Sequence, residues 1–211
     1  MSVLGISVMI HRLYEQLLEF RIDRRRLPGC VTVVLSSGDL NDRGLSKLGD
    51  LLAWSLELGL ASLVLYVNDD DRELARKIAE LLDGAPADIR LHTSQGETHL
   101  GAGGGIKMIV SLGYGGKREV TEAFRKLLGD VEAGRLSPED IDAKSIEGHL
   151  RFSQKPDLVI RAGGKRLSDF MIWQAAYSEL YFTDVNWSAL RKIDFLRAIR
   201  DWQRRDRRFG R

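Results

Sequence analysis

The sequence predicts an α/β domain in which a mainly parallel central sheet of about six strands is covered by helices on both faces. Two observations carry this prediction. Short, nearly continuous apolar runs such as Val31–Leu35 and Leu63–Val67 are typical of strands that are buried on both faces. Helical segments alternate with these runs, as in strand–helix–strand units. The chain has 211 residues, 44% of them apolar, and shows no repeat or linker, so one domain over residues 1–211 is expected.

The N-terminal elements follow from helical periodicity. Tyr14 and Leu17 belong to a set of apolar residues at helical spacing, which indicates an amphipathic helix within residues 1–27 that ends before Pro28. A buried strand comes next, and a polar loop then leads into a second helix. Gly59 is the predicted stop of that helix because glycine readily adopts the left-handed conformation found at helix ends.

The remaining elements alternate along the chain. Asn68 or Asp69 is the predicted N-cap of the third helix, and Gly84-Ala85-Pro86 ends it. The glycine-rich Gly101–Gly105 segment precedes a strand instead of opening a helix, so we predict a flexible loop and not a phosphate loop. The predicted strands are Val31–Leu35, Leu63–Val67, Ile89–Leu91, Ile106–Leu112, Leu158–Arg161 and Tyr181–Thr183. The later predicted helices are Leu45–Leu58, Arg72–Leu82, Lys117–Leu128, Pro138–Leu150, Asp169–Leu180 and Phe195–Arg208.

Four loops are predicted to share one rim of the sheet. In open α/β sheets, ligands bind beyond the carboxyl ends of the parallel strands. The loops that follow these strand ends are Ser36–Arg43, Asn68–Asp71, Tyr114–Lys117 and Arg161–Ser168. Residues 69–71 are three consecutive aspartates, which could be mistaken for the metal-binding aspartate cluster of trans-prenyltransferases. Those clusters lie inside long helices, whereas this one follows a strand, so we predict a helix cap.

Composition and charge narrow the class of protein. The net charge of +2 gives no argument for nucleic acid as a partner. The basic C-terminal helix and tail, residues 191–211, hold nine basic residues against three acidic ones and predict a local positive field. The single cysteine, Cys30, fits a reducing compartment, and no apolar run approaches the length of a membrane span. We therefore expect a cytoplasmic protein, with contact to a peripheral membrane surface left open.

The strongest local signal begins where the fifth strand ends. Arg161 is followed by the glycine pair Gly163-Gly164, and a basic, hydroxyl-bearing segment with Arg166 and Ser168 comes next. Guanidinium groups bind phosphate oxygens through paired donors, and glycines allow the backbone to approach an anion closely. An ordinary strand-to-loop turn with a surface arginine is the alternative for the glycine turn taken alone.

The stretch from Lys155 to Gly210 resembles the C-terminal signature of the cis-prenyltransferases, the family of undecaprenyl and dehydrodolichyl diphosphate synthases. Gly113–Lys117 is similar to the family's Asn-Tyr-Gly-Gly-Arg turn, and LAWSLELGLASLVLY is similar to its WCLELGIKYLTLY run. The resemblance extends over roughly residues 13–210. It implies that Glu179 helps to hold Mg²⁺, and that the segment around Trp173 and Tyr177 packs between two subunits. The residues that it assigns to the diphosphate of isopentenyl diphosphate are Arg161, Gly163, Gly164, Arg166 and Ser168.

The first half of the family's site is not matched. After their first strand, active members carry a Met-Asp-Gly-Asn-x-Arg turn, whose aspartate helps to position the metal and the allylic diphosphate. Ser36 and Ser37 occupy the positions of the aspartate–glycine pair, and Asp39 is the candidate substitute for the catalytic aspartate. Residues 68–72, Asn-Asp-Asp-Asp-Arg, stand where the family has Phe-Ser-x-Glu-Asn-Trp.

A chain that keeps the C-terminal motifs but not the catalytic loops resembles the accessory subunits of two-component cis-prenyltransferases, of the Nogo-B receptor type. Such subunits lend a C-terminal Arg-x-Gly to the partner's site, and Arg208 and Gly210 match it. The prediction is an accessory subunit of a heteromeric enzyme that condenses isopentenyl diphosphate with an allylic prenyl diphosphate, using Mg²⁺ shared with a catalytic cis-prenyltransferase subunit. The alternatives are a self-sufficient homodimeric polyprenyl diphosphate synthase and a non-enzymatic module that binds prenyl diphosphates or a membrane surface.

Overall fold

The computed structural model describes residues 3–164 and 169–205, with side chains described from Arg12 onward. The helices are α1 (Val3–Arg21), α2 (Asp42–Leu58), α3 (Arg72–Leu82), α4 (Gly116–Glu132), α5 (Ala143–His149) and α6 (Lys192–Arg204). The strands are β1 (Cys30–Leu35), β2 (Ser62–Val67), β3 (Ala87–Thr93), β4 (Gly96–Leu112), β5 (Leu158–Ala162) and β6 (Glu179–Thr183). Within the described residues, no helix is long and apolar enough to cross a membrane.

The strands form one six-stranded sheet in the order β3-β4-β2-β1-β5-β6. Four neighbouring pairs are parallel: β1 with β2, β1 with β5, β2 with β4, and β5 with β6. This confirms the predicted mainly parallel α/β sheet. Because β1 and β2 lie at its centre, their apolar runs are buried on both faces, which is why the sequence shows continuous apolar stretches there.

The first face of the sheet carries α1, α2, α3 and α6 over one large apolar core. Alternate residues of β1, Val31, Val33 and Leu35, point into this core, together with the fully buried Trp187. The opposite face has a smaller core, to which Val34, Tyr66 and eight further residues contribute. The α/β prediction of helices on both faces is thus confirmed, but the two coverings differ in size.

β3 and β4 differ from the predicted short strands and loop. The Gly101–Gly105 segment is part of β4, so the prediction of a flexible loop is wrong. Residues 89–93 pair antiparallel with residues 96–100 of β4. Residues 88–92 also lie beside residues 107–111, and along this second pairing the two residue numbers increase together. β4 therefore bends around the edge of the sheet at its glycines. A Cβ on Gly101 would lie 2.3 Å from the carbonyl oxygen of Ala87, so only glycine permits this close approach.

The predicted helix Asp169–Leu180 is wrong. Residues 172–177 form turns, and β6 begins at Glu179. Tertiary packing explains the difference, because the segment lies against the start of α4, where a Cβ on Gly116 would stand 2.8 Å from the nitrogen of Ile172. Met171 adopts a positive φ of 23°, which interrupts helical geometry. The helical spacing of Trp173 and Tyr177 was therefore not a sign of a helix.

Two smaller predictions also change. The N-cap of α3 is Asp71, whose side chain accepts from the backbone N–H groups of Glu73 and Leu74, so the assignment to Asn68 or Asp69 is wrong. Asp71 is itself extended and stands immediately before the first helical residue, Arg72, the position from which a side chain reaches these groups. The helical connection Pro138–Leu150 is divided into a 3-10 turn, Pro138–Asp140, and α5, which starts from a capping box on Asp142.

Candidate diphosphate-binding site

The carboxyl ends of the parallel strands bring the predicted rim loops together. Arg161, at the end of β5, stands beside Val34 of β1 in the sheet register. A 3-10 turn, Ser37–Asp39, follows β1 at the same end. On the other side of β1, a Cβ on Gly113 would lie 2.3 Å from the Cβ of Asp70, so the loops after β2 and β4 are also in contact. The structure thus assembles the described part of the rim as predicted.

Arg161 has a fixed side chain with donor capacity left over. Its Nη1 donates to the carbonyl oxygen of Val34 at 2.8 Å and lies 3.7 Å from Oδ2 of Asp39. The side chain is 17% exposed, and its buried Nε has no hydrogen-bond partner among the described residues. A buried donor without a partner is costly unless a ligand satisfies it. The guanidinium is therefore suited to an anion that enters the rim.

The glycine pair places the backbone over this guanidinium. Gly163 has a φ of +67°, a conformation that favours glycine, and its N–H donates to the carbonyl oxygen of Thr183 at 3.1 Å. A Cβ on Gly164 would lie 3.3 Å from Nε of Arg161. The predicted close turn is present. Arg166 and Ser168, the next two residues assigned to the diphosphate, lie outside the described residues, as do Arg208 and Gly210.

Asp39 lies at the rim, but its carboxylate is turned back onto its own loop. Oδ2 accepts from the backbone N–H of Ser36 at 2.8 Å and from the Ser36 hydroxyl at 2.7 Å. The same oxygen is the one that lies near Arg161. The structure therefore brings together Asp39 and Arg161, the two candidates from opposite ends of the sequence, while Ser36 holds the carboxylate.

Two residues that sequence reasoning did not assign to the site support this loop. A Cβ on Gly44 would lie 1.9 Å from the carbonyl oxygen of Asp39, so the turn packs directly on the start of α2. The indole Nε1 of the buried Trp187 donates to the carbonyl oxygen of Gly44 at 2.8 Å. The second contact has no local sequence signal, because 143 residues separate tryptophan and glycine.

Asp169 is a further residue that the sequence did not single out. Its Oδ1 accepts from the backbone N–H of Lys117 at 2.8 Å, and its carbonyl oxygen accepts from the N–H of Gly116 and the hydroxyl of Tyr66. Asp169 therefore satisfies donors at the start of α4 from a distant part of the chain. Burial, with Asp169 next in effect, raises the pKa of Tyr66 to about 12, so this hydroxyl remains a donor.

Glu179 does not join the cluster within one chain. It begins β6 opposite Leu158, three register positions from the pair Arg161–Phe182. Its Oε2 forms an ion pair with Nη1 of Arg205 at 2.9 Å. Among the described residues, no three His, Cys, Asp or Glu side chains are grouped to hold a metal ion. The described donors of one chain therefore do not form a magnesium site, and the metal role of Glu179 stays a prediction.

Comparisons with known proteins decide the family. A family model described as "Putative undecaprenyl diphosphate synthase" matches residues 72–210. The tritrans,polycis-undecaprenyl-diphosphate synthase (geranylgeranyl-diphosphate specific) of Methanocaldococcus jannaschii is 32% identical, over 94% of this chain and 88% of that protein. The isoprenyl transferase of Thermus thermophilus is 31% identical, over 99% of this chain and 98% of that protein. This chain belongs to the cis-prenyltransferase family.

Solved cis-prenyltransferase structures share the fold. Lavandulyl diphosphate synthase from Lavandula x intermedia, in complex with dimethylallyl diphosphate, superposes with a TM-score of 0.71 at 24% identity. The match covers 88% of this chain and 99% of that chain. A probable undecaprenyl diphosphate synthase from Campylobacter jejuni gives a TM-score of 0.64 at 21% identity, over 86% and 98% of the two chains.

The match to the family is uneven along the chain. The span of the family model begins at residue 72, after the Ser36–Asp39 loop. The alignment with the Methanocaldococcus enzyme runs over 249 positions, whereas 94% of these 211 residues is about 198. About 50 positions of that cis-prenyltransferase thus have no counterpart in this chain. The C-terminal site residues fall in the span of the family model, and Asp39 lies before it. The alignment with the Thermus protein, over 99% of this chain, includes Asp39.

Proposed function

We propose that this cis-prenyltransferase chain is an accessory subunit, which binds isopentenyl diphosphate at its rim but depends on a catalytic partner chain for turnover. The reaction would join isopentenyl diphosphate to an allylic prenyl diphosphate. In that condensation the allylic C–O bond breaks, a carbon–carbon bond forms to the isopentenyl double bond, and a proton and diphosphate leave. The part proposed for this chain is to hold phosphate oxygens through Arg161 and the Gly163–Gly164 turn.

The proposal depends on a difference between two side chains at the rim, Arg161 and Asp39. Among the described residues, the buried Nε of Arg161 has no hydrogen-bond partner, which supports anion binding. Asp39, the carboxylate nearest to it, accepts from the N–H and hydroxyl of Ser36 and faces Arg161 through the same oxygen. These contacts engage Oδ2, which leaves Oδ1 as the oxygen of this carboxylate with free acceptor capacity. Anion binding by Arg161 is therefore better supported than catalysis by Asp39.

The names of the relatives favour a self-sufficient synthase, but two details of the alignments support the accessory reading. The family model matches only from residue 72 onward, beyond the loop that carries the aspartate in active members. About 50 positions of the Methanocaldococcus relative have no counterpart in this chain. A chain that lacks so much of an active relative is a reasonable candidate for a subunit that works with a complete one.

A self-sufficient homodimeric synthase is the second candidate. The relatives that cover nearly all of this chain are named as synthases or transferases, and these names carry no mention of an accessory role. Asp39 lies at the correct rim, 3.7 Å from Arg161, so release from Ser36 would free it for the metal. A prenyl-diphosphate binding module without chemistry is the third reading. Both the accessory subunit and the homodimeric synthase would use Mg²⁺ in the assembled dimer.

The deciding experiment measures incorporation of labelled isopentenyl diphosphate with and without candidate catalytic subunits. We expect little product from the chain alone and strong stimulation of a partner. A kcat for the isolated chain within about tenfold of an ordinary member, or about 1.4 kcal/mol of barrier, would favour the homodimeric synthase. Binding of isopentenyl diphosphate with no product under any pairing would favour the binding module.

Two variants sharpen the result. Asp39→Asn should leave the stimulated activity nearly unchanged in the accessory reading and abolish it in the homodimeric reading, with exposed Asp83→Asn as the matched control. Arg161→Ala should weaken binding of isopentenyl diphosphate by about ten- to a hundredfold, since a hydrogen bond to a charged group contributes about 1.5–3 kcal/mol. Arg161→Lys keeps the charge and should lose less.

The C-terminal tail is tested separately. The family's Arg-x-Gly matches Arg208 and Gly210, which we propose to act on the partner's diphosphate site. Deletion of residues 209–211, or Arg208→Ala, should leave the complex assembled while strongly lowering its turnover. Full activity of an assembled complex with either change would exclude the tail from the site.

A further inference from the structure

A second basic region lies at the edge of the sheet opposite the rim. A cleft of about 350 Å³ opens between the C-terminal ends of α1 and α6, and its lining residues are Arg21, Asp23, Arg26, Arg200, Gln203 and Arg204. It lies near the amino ends of β5 and β6, because the next residue after α6, Arg205, contacts Glu179 and the nearby Trp202 donates to the carbonyl oxygen of Asp157. Four of the six lining residues are arginines.

These four arginines form no ion pair with a carboxylate in the part of the chain that the structure describes. Among the described residues, none of their side chains forms an ion pair, a hydrogen bond or a ring contact. The neighbouring arginines differ, since Arg197 pairs with Asp194, and Arg205 pairs with Glu179 and Asp201. Four arginines thus stand in the cleft against the one carboxylate of Asp23, and the described residues leave an excess of positive charge there.

The cleft is held in shape by Gln203. Its Nε2 donates to the carbonyl oxygens of Asp23 and Arg26 at 2.8 and 2.7 Å, and its Oε1 accepts from the N–H of Asp23 at 3.2 Å. These bonds fix the Arg24–Arg26 turn against α6. Stabilisation of helix C-termini by cations accounts for Arg21 and Arg204. It does not account for Arg26 and Arg200, which meet them in the same cleft.

An apolar stripe borders the arginines. A second cleft of about 280 Å³ shares Arg200 and Arg204 and is also lined by Tyr14, Leu18 and Tyr181. Beside Tyr14 on α1, Leu13, Leu17 and Phe20 follow the spacing i, i+4, i+7 of one helix stripe. Their exposed fractions are 57, 43 and 89%. Large apolar side chains next to unpaired arginines call for a partner that offers both anionic and apolar chemistry.

We propose that this α1–α6 surface docks onto an anionic lipid surface. The four arginines contact lipid phosphates, and the stripe Leu13, Leu17 and Phe20 enters the boundary between head groups and acyl chains. A soluble phosphate would satisfy the arginines but leave the stripe in water, so a lipid surface fits the two features together. This surface is separate from the rim, and it presents the chain to a membrane without a spanning helix.

Vesicle co-sedimentation of the full-length chain, without substrate or partner, tests the proposal independently of the proposed function. We expect binding to vesicles of phosphatidylcholine with phosphatidylglycerol, and little binding to phosphatidylcholine alone. Arg26→Gln with Arg200→Gln should lower the partition coefficient about 25-fold, from about fivefold for each charge near the surface. Leu17→Ser with Phe20→Ser should lower it about tenfold or more.

Controls separate charge from misfolding. Arg26→Lys with Arg200→Lys keeps both charges and should bind nearly as well as the wild type. Leu81→Ser with Arg90→Gln changes exposed residues on α3 and β3 and should bind unchanged. Circular dichroism confirms that each variant is folded. Equal binding to neutral vesicles, binding that survives both test variants, or capture of inorganic diphosphate without any vesicle binding would each overturn lipid docking.

Discussion

The two faces of the sheet are covered in different ways. On the first face, α1, α2, α3 and α6 enclose an apolar core in which Trp187 is fully buried. On the second face, Phe152 and the turn segment 169–178 contribute to a smaller core, and buried Glu119 of α4 accepts hydrogen bonds from the N–H of Phe152 and the side-chain amide of Gln174. The second face also leaves Ile172 and Tyr177 with 49% and 67% of their surface exposed.

This difference indicates that the first face stabilises the fold and that the second face is available for contact with another chain. A closed apolar core supplies most of the stability of a domain. Exposed aromatic and aliphatic groups beside clefts are typical of surfaces that contact another protein. Two neighbouring clefts, both lined by Trp173 and Gln174, lie on the second face. The segment Phe170–Phe182, which the resemblance assigns to a subunit interface, belongs to this face.

Truncation of Trp187 should produce the largest effect. Trp187→Ala removes a fully buried side chain and its hydrogen bond to Gly44, so we expect a loss of about 3–5 kcal/mol in the free energy of unfolding. Tyr177→Ala on the second face should change the monomer by about 0.5 kcal/mol or less. Denaturant unfolding measures both values. Equal losses would contradict the distinction between the faces.

Glu119 should give an intermediate effect that depends on pH. Burial raises the pKa of this carboxyl above its ordinary value. The folded state therefore retains the proton to higher pH than the unfolded state, and stability should fall as pH rises through the interval between the two pKa values. Glu119→Gln should remove this loss of stability, which begins as the pH rises past the ordinary carboxyl pKa of 4.5.

Glu119→Ala should instead cost about 1–3 kcal/mol, because the N–H of Phe152 and the amide of Gln174 lose their acceptor. Unfolding free energies across the pH range measure both variants. Exposed Glu132→Gln should reproduce the wild-type profile. If the free energy of unfolding of Glu119→Gln depended on pH in the same way as that of the wild type, the Glu119 carboxyl would not be the cause of the pH dependence.

The smallest expected change in monomer stability comes from an aromatic pair on the second face, the half-buried Trp173 and the exposed Tyr177. Trp173→Ala combined with Tyr177→Ala should weaken self-association or partner association about tenfold or more, because aromatic side chains dominate interface energies. The monomer should stay folded. Analytical ultracentrifugation measures the assembly, with exposed Leu81→Ala of α3 as the control. An unchanged sedimentation profile would place the interface elsewhere.

Local patterns predicted the elements whose structure depends on nearby residues. The strands Val31–Leu35 and Leu63–Val67 and the helix Arg72–Leu82 were predicted within one residue, because burial on both faces and amphipathic spacing act over a few residues. The glycine turn after Arg161 was predicted for the same reason. The predicted helix Asp169–Leu180 failed, since contacts with Gly116 and Glu119 of α4 override its spacing.

The sequence by itself determined the α/β class, the rim loops and the family resemblance, because these depend on periodicity and on contiguous motifs. Only the tertiary structure decided which candidates meet: Asp39 lies beside Arg161, whereas Glu179 pairs with Arg205 at the other end of β6. Strand register sets these distances, and a register depends on pairing between segments more than a hundred residues apart. The same long-range packing placed four arginines of α1, α6 and the Arg24–Arg26 turn in one cleft.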